Sequence, residues 1–175
     1  MVLATCASAP VEEAPWLHVR YEPSPPQVVS AMLELGAVGS NDVVYDLGCG
    51  DGRIVIEAAR RYGARGVCVD IDPERIAEAR ANAAEAGVAH RIRFLQEDLL
   101  QTDLRGATVV MLFLSLDMNL KLRPRLEREL PAGTRVVSHW HRMGDWPPER
   151  TVYVQGPARA NEVFLFRTRG SARCC

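Results

Sequence analysis

Residues 43–53 read Val-Val-Tyr-Asp-Leu-Gly-Cys-Gly-Asp-Gly-Arg, and this stretch decides the fold. An apolar run meets an acidic residue and then glycines at alternate positions, Gly48, Gly50 and Gly52. Helical spacing of apolar residues resumes directly after the last glycine. Glycines at this spacing permit a sharp turn and a close approach of the backbone to a ligand. The stretch therefore predicts a strand, a loop that binds a nucleotide-type cofactor, and a helix.

The acidic residues of this loop indicate which cofactor it binds. Asp46 precedes the first glycine, and Asp51 lies between the second and the third. A carboxylate beside a pyrophosphate would repel it, which disfavours a dinucleotide such as NAD. S-adenosylmethionine carries an ammonium and a sulfonium group, which a carboxylate attracts. The loop therefore favours S-adenosylmethionine.

Two further carboxylates end apolar runs later in the chain. Asp70 follows Gly66-Val-Cys-Val and is placed to accept hydrogen bonds from ribose hydroxyls, with Ile71 next to it for the adenine face. Asp98 ends the run from Ile92 and is placed to accept from the adenine amino group. A single acid of this kind is typical of a solvated strand end or a helix cap. Three of them at strand ends in one alternating pattern support a cofactor site.

Strands and helices alternate along the chain, which predicts an α/β fold. A first helix begins at Pro25 and Pro26, capped by Ser24, and ends at Gly36. Pro124 is expected to mark the true start of the last helix, with 116–123 more loop-like. The predicted strands are 43–47, 66–70, 91–95, 108–114, 134–138, 150–155 and 162–167; the further predicted helices are 53–62, 73–86, a short one at 99–104, and 117–130.

These motifs resemble those of class I, seven-β-strand methyltransferases that use S-adenosylmethionine, from Tyr21 to about Val154. The resemblance implies a Rossmann-like, mostly parallel seven-stranded sheet with helices on both faces and a C-terminal antiparallel hairpin. It implies methyl transfer, with S-adenosylhomocysteine as product. The residues expected to bind the cofactor are Tyr21, Asp46, Gly48, Gly50, Gly52, Asp70, Ile71, Asp98, Leu99 and Phe113.

A narrower resemblance concerns the acceptor. Tyr21-Glu-Pro-Ser-Pro, Ser138-His139 and the segment 143–148 are similar to compact protein-lysine methyltransferases related to those of the ATP synthase c subunit and the adenine nucleotide translocase. This implies a protein lysine amine as acceptor. An acceptor that is a small molecule or RNA, and a non-catalytic partner subunit that only binds the cofactor, remain alternatives.

The acceptor site is expected at the end of the fifth strand, in Ser-His-Trp-His. His139 and Trp140 are the candidate catalytic residues, with Trp140 as an aromatic wall and His139 as a proton acceptor. The alternative is that Trp140 covers the edge of the core and the histidines lie on the surface. Two histidines without a third ligand do not predict a metal site.

Length and composition set further bounds. The chain has 175 residues, 47% hydrophobic and 25% charged, with a net charge of −1. We expect a flexible lead over 1–20, one methyltransferase domain over 21–170 and a tail over 171–175. The near-neutral charge predicts no nucleic-acid partner, and the basic cluster at 121–128 is interpreted as a solvated helix face.

The cysteines and the hydropathy pattern bear on location. None of the five cysteines forms a C-x-x-C pair, so neither zinc nor disulfides are expected, and Cys49 is interpreted as a small loop residue. No apolar stretch is long enough to span a membrane. We expect a cytoplasmic protein as the sequence is written, or a membrane-anchored or exported one if the true N-terminus lies upstream.

Overall fold

The computed structural model describes residues 21–156 and 159–170, so the predicted lead over 1–20 and tail over 171–175 lie outside the described residues. Helices and strands alternate through most of this part of the chain, and a 3₁₀ turn (Ala89–Arg91) precedes the third strand. In chain order the elements are α1 (Pro26–Leu35), β1 (Val43–Leu47), α2 (Arg53–Tyr62), β2 (Arg65–Asp70), α3 (Pro73–Glu85), β3 (Ile92–Gln96), β4 (Val109–Leu112), α4 (Leu116–Glu129), β5 (Arg135–His139), β6 (Arg150–Val154) and β7 (Asn161–Arg167).

The strands form one sheet in the order β3-β2-β1-β4-β5-β7-β6. The first five strands pair in parallel, and β7 pairs antiparallel with both β5 and β6. The strand order reverses between β1 and β4, and a crevice opens at the carboxyl ends of the strands at such a point. This confirms the predicted Rossmann-like sheet and its antiparallel C-terminal pair.

Each face of the sheet has its own apolar core, because alternate side chains of a strand point to opposite faces. Val44 and Met111 pack with α1 and α2 on one face. Tyr45 and Val110 pack on the other face with residues of α4. Burial on both faces explains why β4 is a continuous apolar run, Val-Val-Met-Leu, rather than an alternating one.

Helix α4 begins earlier than predicted. It starts at Leu116, where the Ser115 hydroxyl accepts a hydrogen bond from Met118 N at 3.2 Å, and Pro124 lies inside it. The prediction of a loop over 116–123 was wrong. Proline lacks one N–H and so removes a single helical bond, whereas the Ser115 cap and the buried Asn119 and Leu122 fix the first turns.

Two other local predictions were also wrong. Residues 99–104 form a turn rather than a helix, because Asp98 accepts from Leu100 N through its carboxylate and from Gln101 N through its carbonyl, both at 2.8 Å. Ser24 does not cap α1. Pro25 occupies that position, and its carbonyl accepts from Val28 N and Val29 N, which frees the serine hydroxyl for a contact in the functional site.

A polar junction joins the amino ends of the strands. The Asp42 carboxylate accepts from Gly39 N at 2.8 Å, from the Thr108 hydroxyl at 2.7 Å and from the Arg135 guanidinium. Burial alone would raise the pKa of Asp42, but the bonds from Thr108, Arg135 and Gly39 outweigh it and hold the pKa below its ordinary value. The junction therefore stabilises the fold only while this carboxyl is ionised.

Replacing Asp42 by Asn should lower the free energy of unfolding at pH 7 by about 2 kcal/mol, since the charge-assisted bonds to Arg135 and Thr108 are lost. A carboxyl whose pKa is depressed in the folded state contributes stability above its unfolded pKa, and that contribution fades as pH falls through the folded pKa. The difference between wild type and variant in urea denaturation, followed by circular dichroism, should therefore shrink on acidification.

Asp103→Asn is the matched control. Its partner Arg105 lies 2.7 Å away, but both side chains are exposed, so no measurable change in stability is expected. If the two variants lose equal stability, or if the Asp42 effect is the same in acid as at pH 7, the junction does not act as described.

Candidate cofactor and acceptor sites

The glycine-rich loop after β1 crosses the carboxyl edge of the sheet. The amides of Gly48 and Cys49 both donate to the Val69 carbonyl, at 2.8 and 3.0 Å. Gly48, Gly50 and Gly52 have φ angles of 79°, 54° and 78°, in the left-handed region that favours glycine. A Cβ on Gly48 would lie 2.8 Å from the Leu114 side chain. The loop thus needs glycine both for its backbone conformation and for space.

The Asp70 carboxylate at the end of β2 is fixed beside this loop. One of its oxygens accepts from Gly50 N at 2.9 Å, and the other accepts from Asp72 N at 3.0 Å. Each carboxylate oxygen has a second lone pair, so the group can still accept from two adjacent hydroxyls. Ile71 follows as a half-buried apolar residue. A carboxylate held in this way could serve as the ribose acceptor that the sequence predicts, and that role stays a prediction.

Asp98 and Leu99 lie at the neighbouring strand end, after β3. Asp98 Oδ1 accepts from Leu100 N at 2.8 Å, while Oδ2 makes no hydrogen bond within the described residues. Leu99 is half-buried and packs against the core on the α4 face. A fixed acceptor next to an apolar side chain suits the edge and face of a heteroaromatic ring.

Asp46 is a buried carboxyl without a compensating partner. The residue is 2% exposed, and its Oδ2 is buried without a hydrogen bond among the described residues. Burial, together with the nearby carboxylates of Asp70 and Asp51, raises the pKa of Asp46 to about 8. A buried oxygen of this kind is costly unless something donates to it. The ammonium group of S-adenosylmethionine would supply that donor, so the residues present fit this cofactor.

A short segment in front of α1 is fastened to the loop. The Tyr21 ring lies where a side chain on Gly50 would be. Asp51 holds Arg53 through paired hydrogen bonds of 2.9 and 2.6 Å, and Arg53 donates to the Ser24 carbonyl at 2.9 Å. The segment 21–24 therefore forms one wall above the glycine-rich loop.

Next to this wall lies a cleft of about 450 Å³ at the carboxyl end of β5. Aromatic and imidazole rings form much of its surface, together with one carboxylate and one guanidinium. The lining residues are Glu22, Pro23, Pro25, Phe113, His139, Trp140, His141, Arg159 and Asn161. Phe113, which the sequence predicts to bind the cofactor, thus lies in the same cleft as His139 and Trp140, which it predicts for the acceptor.

His139 is held on both sides of its ring. Its Nε2 lies 3.2 Å from Asn161 Oδ1, and its Nδ1 lies 2.9 Å from the Ser24 hydroxyl. The Asn161 amide nitrogen donates to the Val154 carbonyl at 3.4 Å, which orients its oxygen toward the ring. Nε2 therefore carries the proton, and Nδ1 accepts from Ser24. Burial lowers the pKa of His139, so the ring is neutral at pH 7.

Trp140 lines the cleft, and its backbone is left-handed, with φ 71°. Its amide donates to the Glu162 carbonyl at 2.7 Å, and the Arg159 guanidinium lies 3.7 Å from the centre of its ring. The ring of His139 stacks against Phe113 with centroids 4.1 Å apart. His139 is 1% exposed, so it is not a surface histidine.

Sequence reasoning missed three residues that shape these sites. Ser24 lies within the Tyr21–Pro25 motif, but the sequence predicts it only as a helix cap. Asn161 opens an apolar strand, and a polar residue at that position is a signal that could have found it. Arg53 follows the last glycine and was interpreted only as the start of a helix.

The pairing of the cysteines also overturns an expectation. Cys49 and Cys68 form a disulfide, with Cα atoms 5.3 Å apart, although no disulfide was expected from their spacing. They meet because β1 and β2 are parallel neighbours in which Asp46 pairs with Cys68, and the loop after β1 folds back over β2. That proximity comes from the sheet register, which cysteine spacing does not encode.

Residues 21–156 and 159–170 contain neither a membrane-spanning helix nor a metal-binding cluster. No helix in these ranges has both the length and the apolar character needed to cross a bilayer. No group of three or more His, Cys, Asp or Glu side chains is arranged there to hold a metal ion.

Comparison with known proteins identifies the family. The ANTKMT methyltransferase domain family matches residues 46–150, which contain the glycine-rich loop and the strand ends just described. The chain belongs to this family. It is therefore an S-adenosylmethionine-dependent methyltransferase, and the bound cofactor supplies an electrophilic methyl group on a sulfonium that leaves as a neutral thioether.

Individual relatives cover nearly the whole chain. A protein-lysine N-methyltransferase of Saccharolobus islandicus is 43% identical over 150 residues, which is 85% of this chain and 93% of that protein. The adenine nucleotide translocase lysine N-methyltransferase of Mus musculus is 34% identical over 156 residues, or 89% of this chain and 66% of that protein.

A solved structure extends the likeness to three dimensions. It is described as an RNA methyltransferase from Salinibacter ruber in complex with S-adenosyl-L-homocysteine. It shares 51% identity, with a TM-score of 0.80, over 83% of this chain and 93% of that one.

The geometry of the glycine-rich loop predicts that a methyl group added at Gly50 impairs cofactor binding. Gly50→Ala should weaken binding of S-adenosylhomocysteine in calorimetry by about tenfold or more, because the new Cβ forces the Tyr21 ring away from the loop and the φ of 54° disfavours alanine by about 1–2 kcal/mol. Gly87→Ala is the control, since Gly87 has φ 70° but a Cβ added there would meet no atom within 4 Å. That variant should lose about 1 kcal/mol of stability and bind normally. Equal binding by both variants would refute the loop geometry.

From the raised pKa of the Asp46 carboxyl we expect cofactor binding to release a proton. With a pKa of about 8 in the free protein, the carboxyl is largely protonated at pH 7, and an ammonium partner favours the ionised form. Binding of S-adenosylhomocysteine at pH 7 should release close to one proton, measured by calorimetry in buffers of different ionisation enthalpy. Affinity should rise from pH 6 toward pH 8. Asp46→Asn should remove both effects; an unchanged proton count in that variant would contradict the assignment.

Proposed function

We propose that the protein methylates the side-chain amine of lysine in a protein acceptor. The observation that carries this proposal is the 43% identity to a protein-lysine N-methyltransferase over almost the full length of both chains. The Mus musculus relative is also named for a protein acceptor, at 34% identity. The proposal concerns the class of acceptor and names no individual protein.

The cleft beside the loop has the character that a lysine side chain requires. Phe113 and Trp140 offer apolar and aromatic surface to the methylene stem, and rings of this kind also attract a cationic head group. Glu22 and Arg159 give the lining one charge of each sign. A site built to hold nucleic-acid phosphates is expected instead to carry an excess of Lys and Arg.

The acceptor amine has to lose a proton before it can attack a methyl group. Free lysine has a pKa of about 10.4, and transfer into a poorly solvated cleft disfavours its charged form. The positive sulfonium of the cofactor acts in the same direction by repulsion. Alignment of the neutral amine is then the main task of the protein, and no covalent intermediate with a side chain is needed.

We propose that His139 positions the cleft rather than accepts the proton. Both of its nitrogens are engaged, by Ser24 and Asn161, and the ring is buried and neutral. It supports Phe113 by stacking and fixes the wall formed by segment 21–24. The amine proton can instead leave to His141, which is half-buried in the same cleft, or to solvent at the mouth of the cleft.

An RNA acceptor is the second candidate. It is favoured by one observation, the 51% identity to the Salinibacter ruber protein described as an RNA methyltransferase. The two candidates differ in acceptor chemistry but share the cofactor site, so a measurement on the methylated product separates them.

The purified chain, incubated with S-adenosylmethionine labelled in the methyl group, should label macromolecules in a dialysed cell lysate. Protease treatment of the lysate should abolish the labelling, and ribonuclease treatment should not. Acid hydrolysis of the labelled protein should yield methylated lysine. Labelling that survives protease but is lost with ribonuclease would overturn the lysine proposal in favour of the RNA acceptor.

Two variants anchor this experiment to the site. Gly50→Ala, which is expected to bind the cofactor more weakly, should give less labelling than wild type. Trp140→Ala should reduce labelling while its calorimetric affinity for S-adenosylhomocysteine stays near wild type, because Trp140 lies at the rim of the cleft beside Arg159 rather than in the loop. Trp140→Phe, which keeps an aromatic wall, should retain most of the activity.

A further inference from the structure

The Cys49–Cys68 disulfide lies inside the cofactor site. Cys49 stands between Gly48 and Gly50 in the glycine-rich loop, and Cys68 lies on β2, two residues before Asp70. The disulfide thus joins the glycine-rich loop, assigned to the methionine end of the cofactor, to β2, which carries the Asp70 carboxylate assigned to the ribose. We propose that this pair is a redox-responsive site, and that reduction of the bond weakens cofactor binding.

The disulfide holds the sulfur atoms of Cys49 and Cys68 closer together than two thiol sulfurs can lie. Two bonded sulfurs lie about 2.05 Å apart, whereas two thiol sulfurs must separate to roughly 3.5 Å. Cys49 is 6% and Cys68 0% exposed, so the space around them is filled by core atoms. Of the two, Cys49 is the one able to move, because it belongs to a loop with glycine on either side, while Cys68 is held between neighbouring strands. Reduction therefore displaces the loop.

Displacement of Cys49 acts directly on the cofactor contacts. The Cys49 amide donates to Val69, and the next amide, of Gly50, donates to the Asp70 carboxylate at 2.9 Å. Moving the loop outward lengthens these bonds and frees Asp70 from its fixed orientation. When only a fraction of molecules holds the binding-competent loop, the apparent affinity falls by that fraction.

The hydrogen bonds that remain keep the reduced protein folded. Gly52 N donates to the Cys49 carbonyl at 2.9 Å, the loop glycines need no disulfide to reach their φ angles, and the sheet register is unaffected. The expected change is thus a shift in cofactor affinity and not a loss of fold. Couplings between two sites of one protein typically change affinity about 5- to 150-fold, and we expect about tenfold here.

The coupling between the disulfide and the cofactor also means that bound cofactor affects reduction of the disulfide. Both sulfurs are buried, so thiol–disulfide exchange requires the loop to open. A bound cofactor favours the closed loop. At equilibrium it should therefore favour the disulfide over the dithiol by the same factor by which the bond strengthens cofactor binding.

The chemistry is a two-electron exchange with small thiols. A dithiol reductant gives two electrons and two protons to the Cys49–Cys68 bond, which becomes two thiols while the reductant closes its own disulfide. Glutathione disulfide reverses this, since the two cysteines lose two protons and two electrons and two molecules of glutathione thiol are formed.

The test uses the full chain in two redox states. One sample is treated with glutathione disulfide and the other with dithiothreitol, and tryptic peptides analysed by mass spectrometry report whether Cys49 and Cys68 are linked. Calorimetry then gives the dissociation constant for S-adenosylhomocysteine, which should be about tenfold higher in the reduced sample and should recover on reoxidation. Circular dichroism checks that both samples are folded.

Two sets of variants assign any effect to this pair. Cys49→Ser with Cys68→Ser should bind like the reduced wild type and should not respond to reductant. A chain in which Cys6, Cys174 and Cys175 are replaced by serine keeps only the proposed pair and should respond fully.

Two results would overturn the proposal. One is equal affinity of the oxidised and reduced wild type, a comparison that needs no substitution. The other is the absence of the Cys49–Cys68 link after treatment with glutathione disulfide. Neither result bears on the lysine acceptor, because only cofactor binding is measured.

Discussion

The whole site depends on one steric constraint, the passage of the backbone at 48–52 between the ends of β1 and β2 with no side chain in the way. The left-handed glycines let the chain turn within a few residues, and the amides released by that turn reach Val69 and Asp70. A Cβ at Gly48 would meet Leu114, one at Gly50 would meet the Tyr21 ring, and one at Gly52 would meet Ala79. The position of α2, which begins directly after the loop, follows from the same turn.

The constraint has an electrostatic consequence, because it brings three carboxyl groups to one edge of the sheet. Asp51 is compensated by Arg53, and Asp70 by backbone amides. Among the described residues nothing donates to the buried Oδ2 of Asp46, and the raised pKa of this carboxyl reflects that imbalance. A cationic ligand would donate to this carboxyl and remove the imbalance. Relief of the unfavourable burial of Asp46 in the free protein would then contribute to the affinity for S-adenosylmethionine.

Sequence reasoning was reliable where the signal was local and failed where it depended on contact between distant segments. The Gly-x-Gly-x-Gly run, the apolar strands and the acids at their ends are recognised within a few residues, and they were enough to predict the Rossmann-like fold and its cofactor edge. The bond from Ser24 to His139 and the Cys49–Cys68 pair join residues that only the sheet brings together. Pro124 misled for another reason, since the loss of one helical bond is outweighed by the capping and burial of the preceding turns.

The segment 21–24 gives the two sites a shared wall, which joins them physically. Tyr21 covers Gly50 on the cofactor side, and the Ser24 hydroxyl bonds to His139 on the acceptor side. Arg53 fastens the segment through the Ser24 carbonyl and is itself held by Asp51 of the loop. The glycine-rich loop and the cleft are therefore linked by hydrogen bonds that run from Asp51 through Arg53 and Ser24 to His139. The acceptor cleft is thus built partly on a segment that also contacts the cofactor loop, so the two candidate sites share one structural support.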